Sequence, residues 1–308
     1  MFRKIKRIGL QLIDDICVAH IKRTEGYVVM LHRIGPEEPW RLPCIAELNV
    51  TVDFLQRFVD MHCKRYDFVS LDEVLARRAN PTQYKRPYIA FTFDDGFRDN
   101  LTYGLPFFGR NNIPFAVFIT TDFINRHPAF NYLFVLERII ANNDSLIVNG
   151  ISYACKTIKQ KNDTFGVLKE RVLYLPYHDF EQSFNRMFAK YIKPEYYEDL
   201  TMTWDEVKQL AASPLCTIGS HTVTHPRLSN LSEAEIEFEL MESKQQIETH
   251  IGKEVKYLSY PYGWKTDVNE QVVEMANRLY VADFQSFATS WGGESNRLID
   301  RVLLNMYE

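Results

Sequence analysis

Short apolar runs alternate with stretches of helical periodicity along most of this chain of 308 residues. Apolar runs rich in β-branched and aromatic side chains predict strands, and the amphipathic stretches between them predict helices. The predicted strands are residues 27–32, 88–93, 115–120, 216–220, 256–260, 281–284 and 301–304. Regular alternation of this kind is typical of an α/β fold with a parallel sheet or barrel.

Capping signals mark the predicted helices. Thr51 can cap the first of them, and Ser232 followed by Glu235 forms a capping box before a long helix that Gly252 ends. The predicted helices cover residues 52–59, 72–78, 233–250 and 268–279.

Residues 131–197 break this rhythm, because Lys, Phe, Tyr and Leu recur there at helical spacing and few strands are evident. We predict a mainly helical insertion within one large domain that covers residues 27–308. Insertions on barrel folds often lie in the loops around the active-site mouth, so this one can shape substrate access.

The first 26 residues form a separate amphipathic segment whose basic residues cluster at its start. Its apolar stripe consists of Ile5, Ile8, Leu12, Ile13 and Ile16. The pattern predicts a helix in segment 1–26 that either makes peripheral contact with a membrane or docks on the main domain. Docking is the favoured interpretation, because the stripe is short and its second half is acidic. Asp14 and Asp15 interrupt what would be the core of a signal peptide, so export by that route is not predicted.

The composition is that of an ordinary globular protein, with 36 Lys and Arg against 40 Asp and Glu. This balance argues against nucleic acid as a partner, since nucleic-acid binders are usually basic. An odd number of cysteines without a C-x-x-C pair is unlike a disulfide framework, and no apolar run is long enough to span a bilayer. The cysteines are Cys17, Cys44, Cys63, Cys155 and Cys216. These features predict a cytoplasmic protein, membrane-associated only if its N-terminal segment binds lipid.

The first stretch that could take part in catalysis or metal binding reads FTFDDGF, residues 91–97. Asp94 and Asp95 follow a run that is otherwise apolar and strand-forming, so burial there carries a free-energy cost for their charges. An isolated Asp-Gly is most often only a turn. A bound cation would explain both carboxylates, one as its ligand and the other as a base beside a bound water.

The second stretch places His221 and His225 after another predicted strand. An extended chain would hold them about 13 Å apart at roughly 3.3 Å per residue, so binding one metal requires the backbone to curl. A zinc ion would take both imidazoles, a carboxylate from Asp94 or Asp95, and a water. The pair alone is a weak signal, and the aspartates strengthen it.

The third stretch, residues 257–264, reads YLSYPYGW. It can be an aromatic-rich turn whose Pro and Gly only set backbone angles. In a barrel, however, the ends of all these strands meet on one rim. A rigid Pro-Tyr-Gly turn there could present main-chain N–H groups to an oxyanion.

Together the three stretches resemble the motifs of the polysaccharide deacetylase family, also known as the NodB homology domain or carbohydrate esterase family 4. T-F-D-D-G matches residues 92–96, H-S/T-x-x-H matches 221–225, and P-Y-G matches 261–263. The likeness covers residue 27 to the C-terminus apart from the insertion. It implies an irregular (β/α) barrel, related to the TIM barrel but with fewer than eight strands. It also implies metal-dependent hydrolysis of an acetyl group on a sugar.

The resemblance assigns roles to residues of this chain. It implies that Asp94 is the catalytic base, that Asp95, His221 and His225 hold the metal, and that the main-chain N–H of Tyr262 binds the oxyanion. The implied cofactor is a divalent metal, Zn²⁺ first, with Co²⁺, Ni²⁺, Mn²⁺ or Fe²⁺ as alternatives. The predicted substrate-binding residues are Tyr260, Pro261 and Trp264.

The chain departs from the family pattern at two points. Ser259 stands where many members carry an Arg that orients the catalytic Asp, and Arg301 could reach that Asp from another strand. The late Leu-x-His that supplies the general acid is also missing. His32, at the end of the first predicted strand, is the candidate replacement. Each of these two residues also has a structural alternative, a solvent-facing Arg301 or a hydrogen-bonded His32.

The predicted function is metal-dependent N-deacetylation of a nucleotide-linked or lipid-linked sugar, or of an oligosaccharide, in bacterial surface polysaccharide biosynthesis. The same metal site could instead hydrolyse an O-acetyl ester or a non-sugar amide. A catalytically impaired homologue that only binds a glycan is a further alternative, although a binder would not need a base beside the metal.

Overall fold

The computed structural model describes residues 26–38, 41–264, 266–286 and 297–304. The predicted N-terminal segment 1–26 lies, except for Gly26, outside these residues. The strands of the described part are β1 (Gly26–Leu31), β2 (Arg33–Ile34), β3 (Asn49–Val50), β4 (Asp67–Phe68), β5 (Tyr88–Phe93), β6 (Phe115–Ile119), β7 (Ser145–Val148), β8 (Ile151–Ala154), β9 (Cys216–Ser220), β10 (Tyr257–Ser259), β11 (Ala282–Gln285) and β12 (Leu298–Leu303).

Within the described residues, seven parallel strands close into a barrel. The order around the wall is β1, β12, β11, β10, β9, β6 and β5, and β5 pairs again with β1. The short β4 pairs only with the start of β5 and stands outside this ring. The predicted irregular barrel with fewer than eight strands is therefore confirmed. The last strand begins at Leu298, three residues before its predicted start.

Helices lie between the strands, and their caps follow the sequence signals. The Thr51 hydroxyl accepts the N–H of Phe54 at 3.1 Å, and the Ser232–Glu235 capping box is present. Gly252 adopts φ 67° and ends the longest helix. The helices are α1 (Pro43–Ala46), α2 (Val52–His62), α3 (Leu71–Ala79), α4 (Leu105–Asn111), α5 (Thr121–Ile124), α6 (Tyr132–Ala141), α7 (Ile158–Leu173), α8 (Phe180–Phe188), α9 (Trp204–Ala211), α10 (Glu233–Ile251) and α11 (Glu270–Leu279), with a π-helical turn at Asn100–Gly104 and 3₁₀ turns at Pro81–Gln83, Tyr177–Asp179, Pro194–Tyr196 and Leu228–Asn230.

The barrel strands are buried on both faces, as parallel strands covered by helices must be. Alternate side chains divide between two apolar clusters, so that in β5 Ile89, Phe91 and Phe93 join one cluster while Tyr88 and Ala90 join the other. Period-two alternation thus decides which residues pack against helices and which fill the barrel interior. None of the helices in the described ranges combines the length and apolar character needed to cross a bilayer.

Residues 131–197 contain α6, α7 and α8 together with an antiparallel hairpin of β7 and β8. The sequence prediction expects mainly helices here and does not include the hairpin. Its turn, Asn149-Gly150, has positive φ at both positions, 51° and 78°, which is the backbone that an Asn-Gly hairpin favours. Leu146 and Val148 point inward and pack on an apolar cluster distinct from those of the barrel.

Candidate metal centre and active site

The sequence motifs lie at the carboxyl ends of neighbouring barrel strands. Asp94 follows β5, His221 follows β9, and the Pro-Tyr-Gly turn follows β10. The N–H of Asp94 donates to the carbonyl of Leu31 at 2.9 Å, and that of His221 donates to Ile119 at 2.8 Å, so strand pairing continues into the motifs. Carboxyl ends of parallel strands share one rim, where active sites of barrel enzymes lie.

Three side chains of these motifs converge. Asp95 Oδ1 lies 3.6 Å from Nε2 of His221 and 3.6 Å from Nε2 of His225. The Nδ1 of His221 is 2.7 Å from the carbonyl of Ser259, to which it must donate. Its proton is therefore on Nδ1, and the lone pair of Nε2 is directed to the site, as in histidines that bind metals.

The backbone between the two histidines makes the curl that their spacing requires. Thr222 and His225 adopt φ 68° and 61°, in the left-handed region. The Thr222 hydroxyl accepts the N–H of His225 at 3.1 Å, which holds the turn closed. The two imidazole centroids are only 4.8 Å apart as a result.

Glu239 on α10 holds this curl, and sequence reasoning missed it. Its Oε2 accepts the N–H groups of Val223 at 2.7 Å and Thr224 at 3.0 Å, while Oε1 accepts the hydroxyls of Thr224 at 2.5 Å and Tyr177 at 2.7 Å. Glu239 is fully buried beside Leu240 on α10. Its position among the apolar residues of an amphipathic helix was a signal in the sequence, because a carboxylate is rarely buried there without partners.

We predict that Glu239→Ala weakens metal binding by about 10–100-fold, the range typical of groups that support metal ligands. The substitution leaves the N–H groups of Val223 and Thr224 without their acceptor and loosens the turn before His225. Competition with a chelator measures the affinity. Glu237→Ala, at an exposed position of the same helix, is the matched control. Equal affinities for the two variants would contradict the prediction.

The convergent residues fit a divalent cation. Within the described residues, Asp95, His221 and His225 form a group whose ligand atoms all lie within 4.8 Å of one another. Asp95 Oδ1 is buried and has no hydrogen-bond partner. Burial, reinforced by the charge of Asp94, raises the pKa of Asp95 well above its ordinary value. One carboxylate and two neutral imidazoles are a donor set that zinc accepts, and a cation there would compensate the buried charge.

Asp94 is held by Arg301. The guanidinium donates to Oδ1 and Oδ2 of Asp94 at 2.7 Å each, and further to Thr92 Oγ1 at 3.1 Å and Ser259 Oγ at 2.7 Å. Burial opposes ionisation of Asp94, but the charge of Arg301, with His221 and the hydrogen bonds, holds its pKa well below the ordinary value. Arg301 thus reaches Asp94 from β12 and donates to Ser259, the residue that stands where many family members carry an Arg.

His32 follows β1 and belongs to the same group of charges. Burial lowers the pKa of His32 to about 4; the charge of Asp94 opposes this shift, and the charges of Arg301 and His221 add to it. The imidazole is therefore neutral in the resting site at neutral pH. Its Nδ1 is buried and has no hydrogen-bond partner among the described residues. The carbonyl of His32 accepts the side-chain amide of Asn100 at 3.0 Å.

Of the residues predicted on the third stretch, Tyr262 lies at the candidate metal centre. Its φ is 58°, and its ring centroid is 4.8 Å from that of His225. Within the described residues, no hydrogen bond engages its main-chain N–H. A Cβ at the next residue, Gly263, would lie 2.5 Å from Ser286 Oγ, so this turn requires glycine. Pro261 is buried in the turn.

The other two residues of this stretch differ from each other. Trp264 is 52% exposed, and its role in substrate binding stays a prediction. Tyr260 does not face the site, which corrects its prediction as a substrate contact. Its side chain is fully buried in the same apolar cluster as Leu258, and its hydroxyl donates to Asp283.

The insertion reaches the site through two tyrosines. Tyr132 interacts with the hydroxyl of Tyr262, and Tyr177 donates to Glu239 at 2.7 Å. Both the turn that carries Tyr262 and the loop between the metal-site histidines therefore contact residues 131–197. Sequence reasoning gave no signal for these pairs, because each joins residues far apart along the chain.

Several solved structures resemble this fold. The deacetylase PplD of Streptococcus pyogenes has a TM-score of 0.60 at 16% identity, over 92% of this chain and 93% of that one. IcaB from Ammonifex degensii has a TM-score of 0.56 at 15% identity, over 92% of each chain. The deacetylase domain of BpsB from Bordetella bronchiseptica has a TM-score of 0.56 at 16% identity, over 91% and 95%. Identities this low establish the fold alone.

Comparison with curated proteins found no match. A family model described as polysaccharide deacetylase matches residues 82–281, which include all three motifs. The resemblance predicted from the motifs is thereby confirmed. The chain belongs to the polysaccharide deacetylase family, whose members are hydrolases that act on amide bonds of acetylated sugars.

Proposed function

We propose that this protein removes the N-acetyl group from a sugar with the help of a divalent metal ion, Zn²⁺ in the first place. The observation that carries the proposal is the pairing of two differently held carboxylates. Asp95 has an unpartnered oxygen between His221 and His225, whereas Asp94 is kept ionised by Arg301. Asp95 is therefore arranged to bind a cation, and Asp94 is arranged to accept a proton.

When bound, the cation supplies a Lewis acid that polarises the acetyl carbonyl and makes water more acidic. Asp94 accepts a proton from the attacking water, and Arg301 fixes the direction of its oxygens. The main-chain N–H of Tyr262 donates to the oxygen of the tetrahedral intermediate. The neutral ring of His32 receives the proton that Asp94 took from the water and passes it to the leaving nitrogen as the C–N bond breaks. The products are acetate and a free amine.

The substrate we propose is an acetylated sugar on a nucleotide or lipid carrier, or an oligosaccharide, used in bacterial surface polysaccharide biosynthesis. A cytoplasmic location, with peripheral membrane contact through segment 1–26, stays a prediction of the sequence. Similarity to deacetylases supports the reaction class, and the exposed ring of Trp264 beside the Pro-Tyr-Gly turn supports a substrate that extends beyond one sugar.

The test is product analysis. Metal-loaded protein is incubated separately with acetylated nucleotide sugars, lipid-linked sugars, acetylated oligosaccharides and O-acetylated sugars, and both acetate and free amine are measured. We expect acetate and amine in equal amounts from at least one N-acetylated substrate. Acetate released only from the O-acetylated sugars would replace the proposal with an esterase, and no acetate from any substrate would contradict it.

We predict that His32→Ala lowers kcat on an N-acetylated sugar by about 10²–10⁴-fold, the usual contribution of general acid–base catalysis. An activated aryl acetate, whose leaving group needs no proton, should be hydrolysed within about threefold of the wild-type rate. His250→Ala, on α10, is the control. A loss of about threefold or less on the sugar, or an equal loss on both substrates, would remove His32 from the proton path.

A further inference from the structure

A cavity of about 310 Å³ lies beside the metal centre, between the insertion and the loop that follows His225. We call it the insertion pocket. One wall consists of residues 173–177 with Phe180, and the other consists of residues 226–227 and 230–231 with Tyr262. Because the Tyr262 ring also contacts the ring of His225, the pocket lies next to the proposed site of hydrolysis.

The insertion pocket is lined largely by aromatic and apolar side chains. Tyr174, Tyr177, Phe180 and Tyr262 are among its lining residues, and Tyr174 is 80% exposed. Such walls suit a sugar ring, whose C–H faces stack on aromatic side chains while its hydroxyls stay hydrated. The volume is that of a small-ligand site, so the pocket can hold a group linked to the sugar under attack.

Arg227 is the single charged residue among those that line the insertion pocket in the described part of the chain. Its Nε lies 3.4 Å from Oδ1 of the buried Asp267, and its guanidinium carbon lies 5.4 Å from the centroid of Tyr262. Its Nε is buried and makes no hydrogen bond within the described residues. The Asp267 carboxylate therefore lies near the guanidinium without a hydrogen bond to its Nε, and the N–H groups of Arg227 can donate to an acceptor in the pocket.

We propose that the insertion pocket is a substrate subsite in which Arg227 binds an anionic group covalently attached to the acetylated sugar. This inference rests on the proposed function and extends it to the class of substrate. A guanidinium matches the oxygens of phosphate and carboxylate with paired N–H donors. Two sources share this chemistry, a glycosyl phosphate of a carrier and the carboxylate of a neighbouring uronic acid.

Binding of three probes to the metal-loaded full chain tests the subsite. The probes are neutral diacetylchitobiose, N-acetylglucosaminyl phosphate and a hyaluronan fragment, and calorimetry gives the affinity of each. We expect the wild type to prefer at least one anionic probe. Arg227→Met should lower the affinity for that probe by about tenfold or more. Its affinity for the neutral probe should change by less than about twofold. Arg227→Lys should retain part of the affinity, and Arg110→Met, at an exposed position of α4, is the control.

Each outcome decides the question. If Arg227→Met loses affinity only for N-acetylglucosaminyl phosphate, the anionic group is a carrier phosphate. If it loses affinity only for the hyaluronan fragment, the anionic group is the carboxylate of a uronic acid. No preference for an anion in the wild type, or equal losses for neutral and anionic probes in Arg227→Met, overturns the subsite. Acetate release from the neutral probe is measured separately. Release without an Arg227-dependent preference therefore rejects the subsite alone, whereas Arg227-dependent binding without release from any substrate rejects the proposed function alone.

Discussion

Replacing Asp94 by Asn is expected to reduce kcat on an N-acetylated sugar by about 10²–10⁴-fold while leaving the metal bound. Asn keeps the shape of the side chain but cannot accept the proton of the attacking water. Asp95, His221 and His225, the proposed ligands of the cation, are unchanged. Acetate release measures turnover, and elemental analysis after gel filtration measures the metal content.

A control separates lost chemistry from lost structure. Asp60→Asn, at an exposed position of α2, should behave as the wild type in both measurements. Circular dichroism must show that the Asp94→Asn protein is folded, because the substitution leaves Arg301 without its carboxylate. A folded Asp94→Asn variant with an undiminished rate would show that another group is the base.

Replacing Arg301 by Met is expected to lower the free energy of unfolding by about 3–5 kcal/mol, the usual effect of removing one member of a buried ion pair. Arg301 is 1% exposed and donates to Asp94, Thr92 and Ser259, so the substitution leaves a buried carboxylate without its counter-charge. Turnover should fall as well, because the oxygens of Asp94 lose their fixed direction. Urea denaturation gives the free energy of unfolding.

The double variant Asp94→Asn with Arg301→Met is the matched comparison. If the loss in Arg301→Met comes from an uncompensated charge, neutralising Asp94 should recover a large part of the stability. Additive losses in the double variant would instead mean that Arg301 stabilises the fold through its packing on Phe118 and its other hydrogen bonds.

The barrel and the convergence of its motifs were predictable, because both follow from local rules. Alternating strands and helices define the parallel sheet, and its carboxyl ends place Asp95 beside His221 and His225. The same alternation could have excluded Tyr260. Side chains two apart on a strand share a face, so Tyr260 packs outward with Leu258, whereas Ser259 points into the barrel toward Arg301.

The groups that support the site were not predictable in the same way. Glu239 and Tyr177 act through contacts between α10, the insertion and the loop from His221 to His225. No sequence pattern within one segment encodes a contact between distant segments. The role of Arg301 was predictable only because Ser259 replaces the Arg of a known motif, so that another Arg was needed to orient Asp94. The hairpin at Asn149-Gly150 did carry a local signal, which the helical periodicity of its surroundings obscured.

A crystal structure of the protein grown with zinc, with anomalous scattering used to locate the ion, tests the account most directly. We predict one cation bonded to a carboxylate oxygen of Asp95 and to Nε2 of both His221 and His225, with Asp94 adjacent and still paired with Arg301. A cation held by other residues, or none at this rim when zinc is present in excess, would contradict the proposed centre and the hydrolysis that depends on it.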